Sequence, residues 1–352
     1  MSYIDLEDDS LTNLLIERQK INVDPRQQPE RIDKFLMSKT EKLSRNRIQN
    51  AIKKGRVTVN GTLIKTNYKV RPNDIIEISY QKEYEDSVPP VPQEIPLDIV
   101  FEDDYVLVVN KPAGLVVHPG VAHYSGTLVN ALAYHFKDLP VKMGEPINRL
   151  GLVHRIDKNT SGLLVVGKTP EVLNHLSKQF YDHSIYRRYV ALVWGSPEET
   201  KGTIDNRIGR NPKDRTKMMV YHDDMEGGKH SVTHYDVLED LYYVSLIECR
   251  LETGRTHQIR CHMSHLGHPI FSDERYGGDK ITKGTVFSKY KQFVFNCFKM
   301  MPRQALHAKS LGFEHPITGE KMLFHADLPE DFSSVLEKWK GYVTSQRKKL
   351  DF

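Results

Sequence analysis

The sequence predicts an α+β protein of two domains of unequal size, the larger one built on a mixed, largely antiparallel sheet. Apolar runs typical of strands and amphipathic runs typical of helices alternate without a regular βαβ rhythm, which favours this class. A chain of 352 residues is long enough for two domains of ordinary size. Four prolines in residues 85–96 favour extended chain, so this segment is expected to be a semi-rigid linker between them.

Composition and charge set the expected order of segments along the chain. An acidic start with some helical periodicity precedes a strongly basic stretch, and a basic tail follows the last amphipathic run. The expected organisation is a 1–28 N-terminal extension, a 29–84 small basic domain, the 85–96 linker, a 97–328 larger domain, and a 329–352 C-terminal helix with a basic tail.

Several classes of protein are disfavoured by what the sequence lacks. No apolar run approaches the ~18 residues that a membrane span needs, and the acidic N-terminus does not resemble a signal peptide. Three cysteines without a CxxC pair suit a reducing compartment, and Cys249, in an apolar run, is expected in the core. The protein is therefore expected in the cytoplasm with no membrane partner. Neither a phosphate-binding GxxxxGK[ST] nor a GxGxxG after a strand is present, so no nucleotide cofactor is expected.

The small domain concentrates positive charge. Residues 31–72 contain twelve Lys or Arg and two acids, whereas the net charge of the whole chain is only +4. Such a surface can bind a polyanion or can simply be solvated, and charge alone leaves both interpretations open.

Local patterns in this domain predict a helix pair packed on a small hairpin, with one basic face. Ile48 and Ile52 lie on one face of a helix that Ser44 can cap and Gly55 can end. Residues 57–63, VTVNGTL, alternate in polarity around an Asn-Gly turn signal. The helix and its exit carry the candidate contacts for a polyanion, which are Arg45, Arg47, Lys53, Lys54 and Arg56.

The larger domain contains several recognisable elements. YVLVVNKPAGLVV predicts strand, turn and strand, and ALVWG, VSLIECRLE and KMLFHADL predict further strands. TLVNALAYHF and TPEVLNHLSKQF predict helices. In the tail, apolar residues at helical spacing predict a helix packed on this domain, followed by a frayed basic end.

A single carboxylate stands out in GLVHRIDKNTSGLLVVGKT, residues 151–169. Asp157 is flanked by Arg155 and Lys158 on a polar segment that leads into a strand. A lone carboxylate can serve as a nucleophile or a base if an arginine keeps it ionised, and Arg255, beside Gly254, suits a bidentate pair. A buried Asp–Arg pair that only stabilises the fold would give the same pattern, and spacing does not decide between the two.

Histidines cluster in GRTHQIRCHMSHLGH, where four occur within twelve residues. Their spacing matches no zinc signature, and neither an acid nor a cysteine motif supports one. No metal is expected.

The basic stretch resembles the S4 RNA-binding domain over about residues 29–80. The resemblance is carried by RIDKFL, SRNRIQNAIKKGRVTVNG and YKVRPNDIIEI. Asn73 replaces a usual glycine, and asparagine tolerates the left-handed backbone that glycine adopts there. Because this family often binds structured RNA, the resemblance implies that the basic residues contact RNA.

The larger domain resembles RluA-type RNA pseudouridine synthases over about residues 97–328. HRIDKNTSGLLVVGKT resembles the HRLDxxTSGLL motif of that family, with isoleucine in place of leucine. DDYVLVVNKPAGLVVHPG, YRRYVALVWG, LETGRTHQIRCHMSHLGHPIFSDERYG and RQALHAKSLGFEHPITGE resemble further family segments in the same order. With an S4 domain in front, the arrangement is most similar to the RluD-like ribosomal RNA members.

This resemblance implies an isomerase with a central active-site cleft, acting on uridine within RNA without a cofactor. It places the catalytic role on Asp157, an aromatic contact with the flipped uracil on Tyr189, and an ion pair to Asp157 on Arg255. It also implies that Arg155 helps to displace the target base and that Leu251 forms part of the pocket wall. His257 and Arg260 are expected only to shape the loop.

A second basic segment, residues 205–220, resembles a loop with which family members grip RNA. It includes Arg210 and Arg215, and an ordinary mobile hairpin is the alternative interpretation.

The expected partner is ribosomal RNA, with the large subunit favoured by the S4 resemblance. Two alternatives stay open: a synthase that acts on transfer RNA, and a non-catalytic RNA-binding or ribosome-assembly factor on a synthase scaffold. The sequence does not indicate the target uridine or the oligomeric state.

Overall fold

A computed structural model describes residues 16–40, 45–81, 90–118, 125–136, 139–140, 150–222, 224–285 and 287–350. The chain divides into two compact units, Met1–Val88 and Pro89–Phe352. Residues 90–96 of the predicted linker contain neither helix nor strand. Within the described ranges, every helix is too short or too polar to cross a membrane.

The first unit packs a helix pair against small antiparallel sheets. Four strands pair in the order β1-β6-β3-β4, and β2 pairs with β5. The strands are β1 Ile16–Asn22, β2 Glu30–Arg31, β3 Val57–Val59, β4 Thr62–Leu63, β5 Lys69–Val70 and β6 Ile75–Gln81. The helices are α1 Ile32–Lys39 and α2 Arg45–Lys53.

The predicted helix pair and hairpin of this unit are confirmed. Ile48 and Ile52 are buried in its core, while the capping residue proposed at Ser44 lies outside the described residues. Asn60 and Gly61, at φ 51° and 74°, form the turn between β3 and β4. Asn73 has φ 65°, which is the left-handed conformation expected at a position where the S4 family usually has glycine.

The predicted extension is wrong over residues 16–22. This segment is strand β1, which pairs along its whole length with β6, so that Ile21 lies opposite Ile76. The segment forms a strand in spite of its helical periodicity, because pairing with β6 provides hydrogen-bonding partners for its backbone.

The second unit contains a large sheet in the order β12-β11-β13-β14-β10-β15-β9-β8-β7, with β16 paired to β15. Among the described strands, β9 and β15 form the parallel pair and the other pairs are antiparallel, which confirms a mixed, largely antiparallel sheet. The strands are β7 Ile99–Glu102, β8 Val106–Lys111, β9 Ser161–Gly167, β10 Tyr186–Trp194, β11 Lys201–Arg210, β12 Met218–Tyr221, β13 Lys229–Asp240, β14 Val244–Leu251, β15 Leu306–Glu314 and β16 Lys321–His325.

Helices cover the sheet of the second unit. They are α3 Leu128–His135, α4 Pro170–Tyr181, α5 Gln258–His265, α6 Ser288–Met300 and α7 Glu330–Leu350. The predicted helices at α3, α4 and α7 are confirmed. Phe332 and Trp339 of α7 are fully buried, and Trp339 contacts Trp194 at the centre of the core. The tail expected to fray is helical as far as Leu350.

One predicted strand is wrong. Residues 115–117, the second apolar run of YVLVVNKPAGLVV, form no strand, and Val116 makes only an isolated bridge to Thr127. The chain turns after Lys111, at the end of β8, because that side chain holds the following turn, as described below.

Candidate active site

A cavity of about 100 Å³ opens over the middle of the large sheet, where β10 and β14 pair. Asp157, Tyr189, Leu251, Arg255 and Arg260 lie in its wall. The structure therefore brings together residues that are about one hundred positions apart in the chain.

Asp157 lies on a short loop whose backbone is held by buried side chains. The loop runs directly into β9. Lys111 Nζ donates to the carbonyl of Lys158 at 3.0 Å, and Arg303 Nη1 donates to the carbonyl of Asn159 at 3.0 Å. These contacts fix the position from which the Asp157 side chain enters the cavity.

Lys111 holds this loop against the preceding turn. Its Nζ also donates to the carbonyls of Pro112 and Leu115, at 2.7 and 2.8 Å, and its side chain is almost completely buried. Burial and the positive charge of Arg303 lower the pKa of Lys111 to about 7. The three carbonyls match the three N–H donors of the protonated amine and favour that form.

The ion pair of Asp157 is formed with Arg260. Arg260 Nη1 donates to Asp157 Oδ2 at 2.9 Å. Within the described part of the chain the predicted pair between Asp157 and Arg255 is absent, so that assignment is wrong. Arg255 instead donates from Nε to the carbonyl of His230 at 2.9 Å, at the rim of the cavity.

A second, buried carboxylate orients Arg260. Asp273 is fully buried and accepts both Nε and Nη2 of Arg260, at 2.7 and 2.9 Å. The guanidinium also lies 5.1 Å from the ring centre of Tyr276. Burial by itself would lower the pKa of Arg260, but its interactions with Asp273 and Asp157 outweigh burial and raise the pKa above its usual value. Arg260 is therefore a fixed cation beside Asp157.

Arg260 points into the cavity because of how α5 begins. His257 precedes the helix in a left-handed conformation, with φ 55°, which turns the chain sharply. Gln258 is buried and donates to the carbonyl of Val232 and to Thr233 Oγ1, which fixes the first turn of α5 against β13. The arginine two positions later then faces the site, whereas Arg255 lies before the turn.

His257 completes this side of the cavity. Its Nε2 lies 3.9 Å from Asp157 Oδ2, and its Nδ1 is 3.0 Å from the hydroxyl of Tyr276. That hydroxyl accepts the backbone N–H of Met218, at 2.9 Å. Burial lowers the pKa of His257 to about 4, in spite of the nearby Asp157 charge, so the ring is neutral at pH 7.

Tyr189 and Leu251 form the sheet side of the cavity. Tyr189 lies just after an irregularity in the pairing of β10 with β15, between Arg188 and Tyr189, which changes the register at the site. Only 7% of Tyr189 is exposed, and burial raises the pKa of its hydroxyl above the usual value. Leu251, the last residue of β14, is equally buried beside it.

Arg155 is exposed at the mouth of the cavity, two residues before Asp157. Its Nη1 lies 2.7 Å from Nε2 of His118. It lines both this cavity and a larger neighbouring one.

The candidate RNA contacts of the first unit separate into two kinds. Lys53, Lys54 and Arg56 are exposed at the end of α2 and just beyond it. Arg45 instead donates from Nε to buried Asp33 at 2.9 Å. The side chain of Arg47 lies outside the described residues.

Asp33 is the reason why the Arg45 side chain is bound within its own unit. Its carboxylate also accepts from Arg31 and Gln49. Burial opposes ionisation, but these hydrogen bonds and Arg45 hold the pKa of Asp33 well below its usual range. Arg45 therefore stabilises this unit.

The second basic segment forms the hairpin of β11 and β12. Arg210 and Arg215 are exposed on it, and Arg210 Nη1 donates to the carbonyl of Arg215 at 2.8 Å. At the base of the hairpin, Arg207 donates hydrogen bonds to three backbone carbonyls. The hairpin therefore presents Arg210 and Arg215 at its outer end, together with exposed Lys213.

Comparisons with known proteins agree with both units. Residues 30–76 match the model of the S4 domain, and residues 105–265 match the model of RNA pseudouridylate synthase. An RNA pseudouridine synthase of Chlorobaculum parvum, itself uncharacterised, is 43% identical over 93% of this chain and 99% of its own length. The chain belongs to the RNA pseudouridine synthase family. It is thus an isomerase that converts uridine to pseudouridine in RNA.

Two further comparisons extend this assignment. The ribosomal large subunit pseudouridine synthase D of Zymomonas mobilis is 44% identical over 87% of this synthase and 93% of its own length. The solved structure of human RNA pseudouridylate synthase domain containing 4 superposes with a TM-score of 0.50 at 25% identity, covering 69% of this chain and 92% of the human one.

Residue patterns missed three parts of this site. Arg260 was expected only to shape its loop, although it ends the same GRTHQIR segment that drew attention to Arg255. Asp273 and Lys111 carried no signal of their own, because Asp273 acts through Arg260 and Lys111 acts on the Asp157 loop through the carbonyl of Lys158. A buried charged residue shows its function only once its partners are known.

Proposed function

We propose that this synthase isomerises specific uridines of large-subunit ribosomal RNA, with Asp157 as its catalytic residue. The observation that carries the proposal is the geometry of Asp157: a carboxylate 20% exposed, at the wall of a cavity, with one oxygen held by a fixed guanidinium. Among the described residues no cation contacts the second oxygen, which is available to a substrate.

The reaction requires one group that can act twice. The N1–C1′ bond breaks, the uracil turns, and a bond forms between C5 and C1′. Asp157 assists the loss of N1 from the sugar and later accepts the proton that leaves C5, while N1 gains a proton, so uridine and product are isomers. Arg260 keeps the carboxylate in place through both steps, and neither step needs an oxidant or a donated group.

The cavity wall supports the recognition of a uracil taken out of its stack. Tyr189 offers an aromatic face beside Asp157, and Leu251 offers an apolar edge. Arg155, at the mouth, is suited to occupy the space that the base leaves. The cavity of about 100 Å³ is smaller than ordinary ligand sites of roughly 300–1,000 Å³, so the base enters as its walls adjust.

Two basic surfaces support RNA binding outside this cavity. One comprises the exposed cations Lys53, Lys54 and Arg56 of the S4 unit, and the other comprises Arg210 and Arg215 of the hairpin. Cations of this kind neutralise phosphates and release counterions, which gives affinity without sequence preference. Large-subunit ribosomal RNA is the substrate proposed because several relatives at about this similarity carry that substrate in their names.

Pseudouridine mapping of in vitro transcripts of bacterial large-subunit ribosomal RNA and of transfer RNAs tests the proposal. The wild-type protein is expected to introduce discrete pseudouridines in the ribosomal transcript, and Asp157→Asn none while RNA binding persists. Asn keeps the shape of the side chain and removes its charge.

Each other outcome has a definite meaning. Modification of transfer RNA alone would replace the substrate proposed. Loss of RNA binding together with activity in Asp157→Asn would contradict the catalytic role. Tight binding without any product, in the transcript and in assembling ribosomal particles, would make the protein an assembly factor.

A further inference from the structure

A second cavity, of about 720 Å³, adjoins the catalytic one. Arg155, Arg187, Gly254 and Arg255 belong to the walls of both, so the two spaces meet along these residues. The larger cavity is within the size range of ordinary ligand sites, and the space beside Asp157 is well below it. Its lining includes Phe180 and Tyr181 of α4 together with His154.

Arg187 lies at this junction and is unusual among the buried arginines of the described residues. Only 8% of it is exposed, and within the described residues no carboxylate lies within ion-pair distance of it. Arg260 and Arg303, by comparison, are each paired bidentately with an aspartate.

The donors of Arg187 are largely unused. Nη2 donates to the carbonyl of Glu252 at 3.2 Å, and Nε is buried without a partner among the described residues. A β-carbon at Gly254 would lie 3.2 Å from Nη1, so the absence of a side chain there leaves that nitrogen open at the junction.

The surroundings of Arg187 offset its charge only through an aromatic ring and supply no anion among the described residues. Its guanidinium lies 5.2 Å from the ring centre of Phe180, and that ring stacks on His154. His154 accepts the backbone N–H of Val165 through Nε2, and burial together with the charge of Arg187 lowers its pKa to about 3, so it is neutral. A buried, unpaired cation is costly, and burial accordingly lowers the pKa of Arg187.

We propose that Arg187 binds the phosphate next to the target uridine, and that the larger cavity receives the adjoining nucleotide of the RNA strand. This inference rests on the proposed function and extends it to a second subsite. A phosphate supplies the missing anion and accepts the unused N–H groups of the guanidinium. Tyr181, whose side chain is largely exposed, offers an aromatic surface on which the attached base can stack, whatever its identity. Arg187 thereby positions the strand so that its neighbour enters the catalytic cavity.

The test compares Arg187→Met with Arg188→Met. Arg188 is the matched control because it lies next in β10 and already has an ion pair, with Glu248 at 3.5 Å. Steady-state kinetics and equilibrium binding are measured with a large-subunit ribosomal RNA transcript over a series of salt concentrations.

Arg187→Met is expected to raise KM about 10- to 150-fold, as the loss of one charge-assisted hydrogen bond does. The slope of log Kd against log salt is expected to fall by about 0.7, the value of one phosphate contact on a single strand. Arg187→Lys is expected to keep that slope, and Arg188→Met to leave it unchanged. The thermal midpoint of Arg187→Met is expected to equal or exceed that of the wild type, because the variant removes an unpaired buried charge.

A lower thermal midpoint with an unchanged salt slope would show that Arg187 is structural and would overturn the proposal. An unchanged KM and slope would overturn it as well. If the wild-type protein forms no pseudouridine, the proposed function fails, and the slope of Kd still tests Arg187 because it requires no turnover.

Discussion

Replacing Arg260 by methionine tests whether this arginine positions Asp157. The variant removes a hydrogen bond of 2.9 Å to a charged carboxylate. Hydrogen bonds to charged groups contribute about 1.5–3 kcal/mol, which corresponds to about 10- to 150-fold in kcat if the bond is needed in the transition state. Arg255→Met removes only a bond to the carbonyl of His230 and is expected to lower kcat less.

The same substitution also perturbs the fold, because Asp273 loses its partner. Asp273 is fully buried, and breaking a buried ion pair costs about 3–5 kcal/mol. In the double variant Arg260→Met/Asp273→Asn the orphaned charge is gone, and asparagine keeps an oxygen for the backbone N–H groups of Arg275 and Tyr276. Much of the stability is expected to return, but not the activity.

Steady-state kcat and urea unfolding are measured on the same preparations. Together they separate the effect of Arg260 on catalysis from its effect on stability. Recovery of kcat together with stability in the double variant would mean that Arg260 acts only through folding. A larger loss of kcat in Arg255→Met than in Arg260→Met would return the positioning role to Arg255. Either result would refute the assignment made from the structure.

Three further predictions concern stability and RNA binding. Gly162→Ala is expected to lower the free energy of unfolding by about 2–5 kcal/mol, because strain and crowding add up: Gly162 has φ 115° and a β-carbon would lie 2.3 Å from the carbonyl oxygen of Ala308. Gly114→Ala, with φ 87° and open space around it, is expected to cost only about 1–2 kcal/mol; equal losses in urea unfolding would contradict this. Burial lowers the pKa of His262 from 6.5 to about 4. As the pH falls, the unfolded chain therefore binds a proton at this residue before the folded chain does. The free energy of unfolding is expected to decrease between pH 6.5 and pH 4, by up to about 1.4 kcal/mol per pH unit. His262→Gln is expected to flatten this dependence of the unfolding free energy, and an unchanged slope would count against it. Lys53→Gln/Lys54→Gln is expected to reduce the slope of log Kd against log salt by about 1.4–1.8, and a slope equal to that of the wild type would exclude both lysines from the RNA surface.

The elements that the sequence predicted correctly are those whose cause is local. The turn at residues 60–61 has positive φ at both positions, because asparagine and glycine tolerate that conformation by themselves. Helix α7 follows from apolar positions such as Phe332 and Trp339 at helical spacing, and it extends further than expected because nothing in its sequence ends it. Turn chemistry and periodicity act within a few residues and are therefore visible in the chain alone.

The incorrect elements depended on distant partners. Residues 16–22 became strand β1 because β6 offers a complete row of hydrogen-bonding partners. Residues 115–117 formed no strand, since Lys111 binds the carbonyls of the turn and draws the chain towards the loop of Asp157. In both segments tertiary contacts outweighed a weak local preference.

For the site, the sequence by itself determined that Asp157 lies on a loop before a buried strand and that an arginine-containing segment accompanies it. Only the tertiary structure decided which arginine forms the pair. Arg255 and Arg260 are five residues apart, and the left-handed turn at His257, the anchoring of Gln258 and the buried carboxylate of Asp273 together aim Arg260 at Asp157. The direction of a side chain depends on the backbone path and on its partners, and neither is contained in the spacing of residues along the chain.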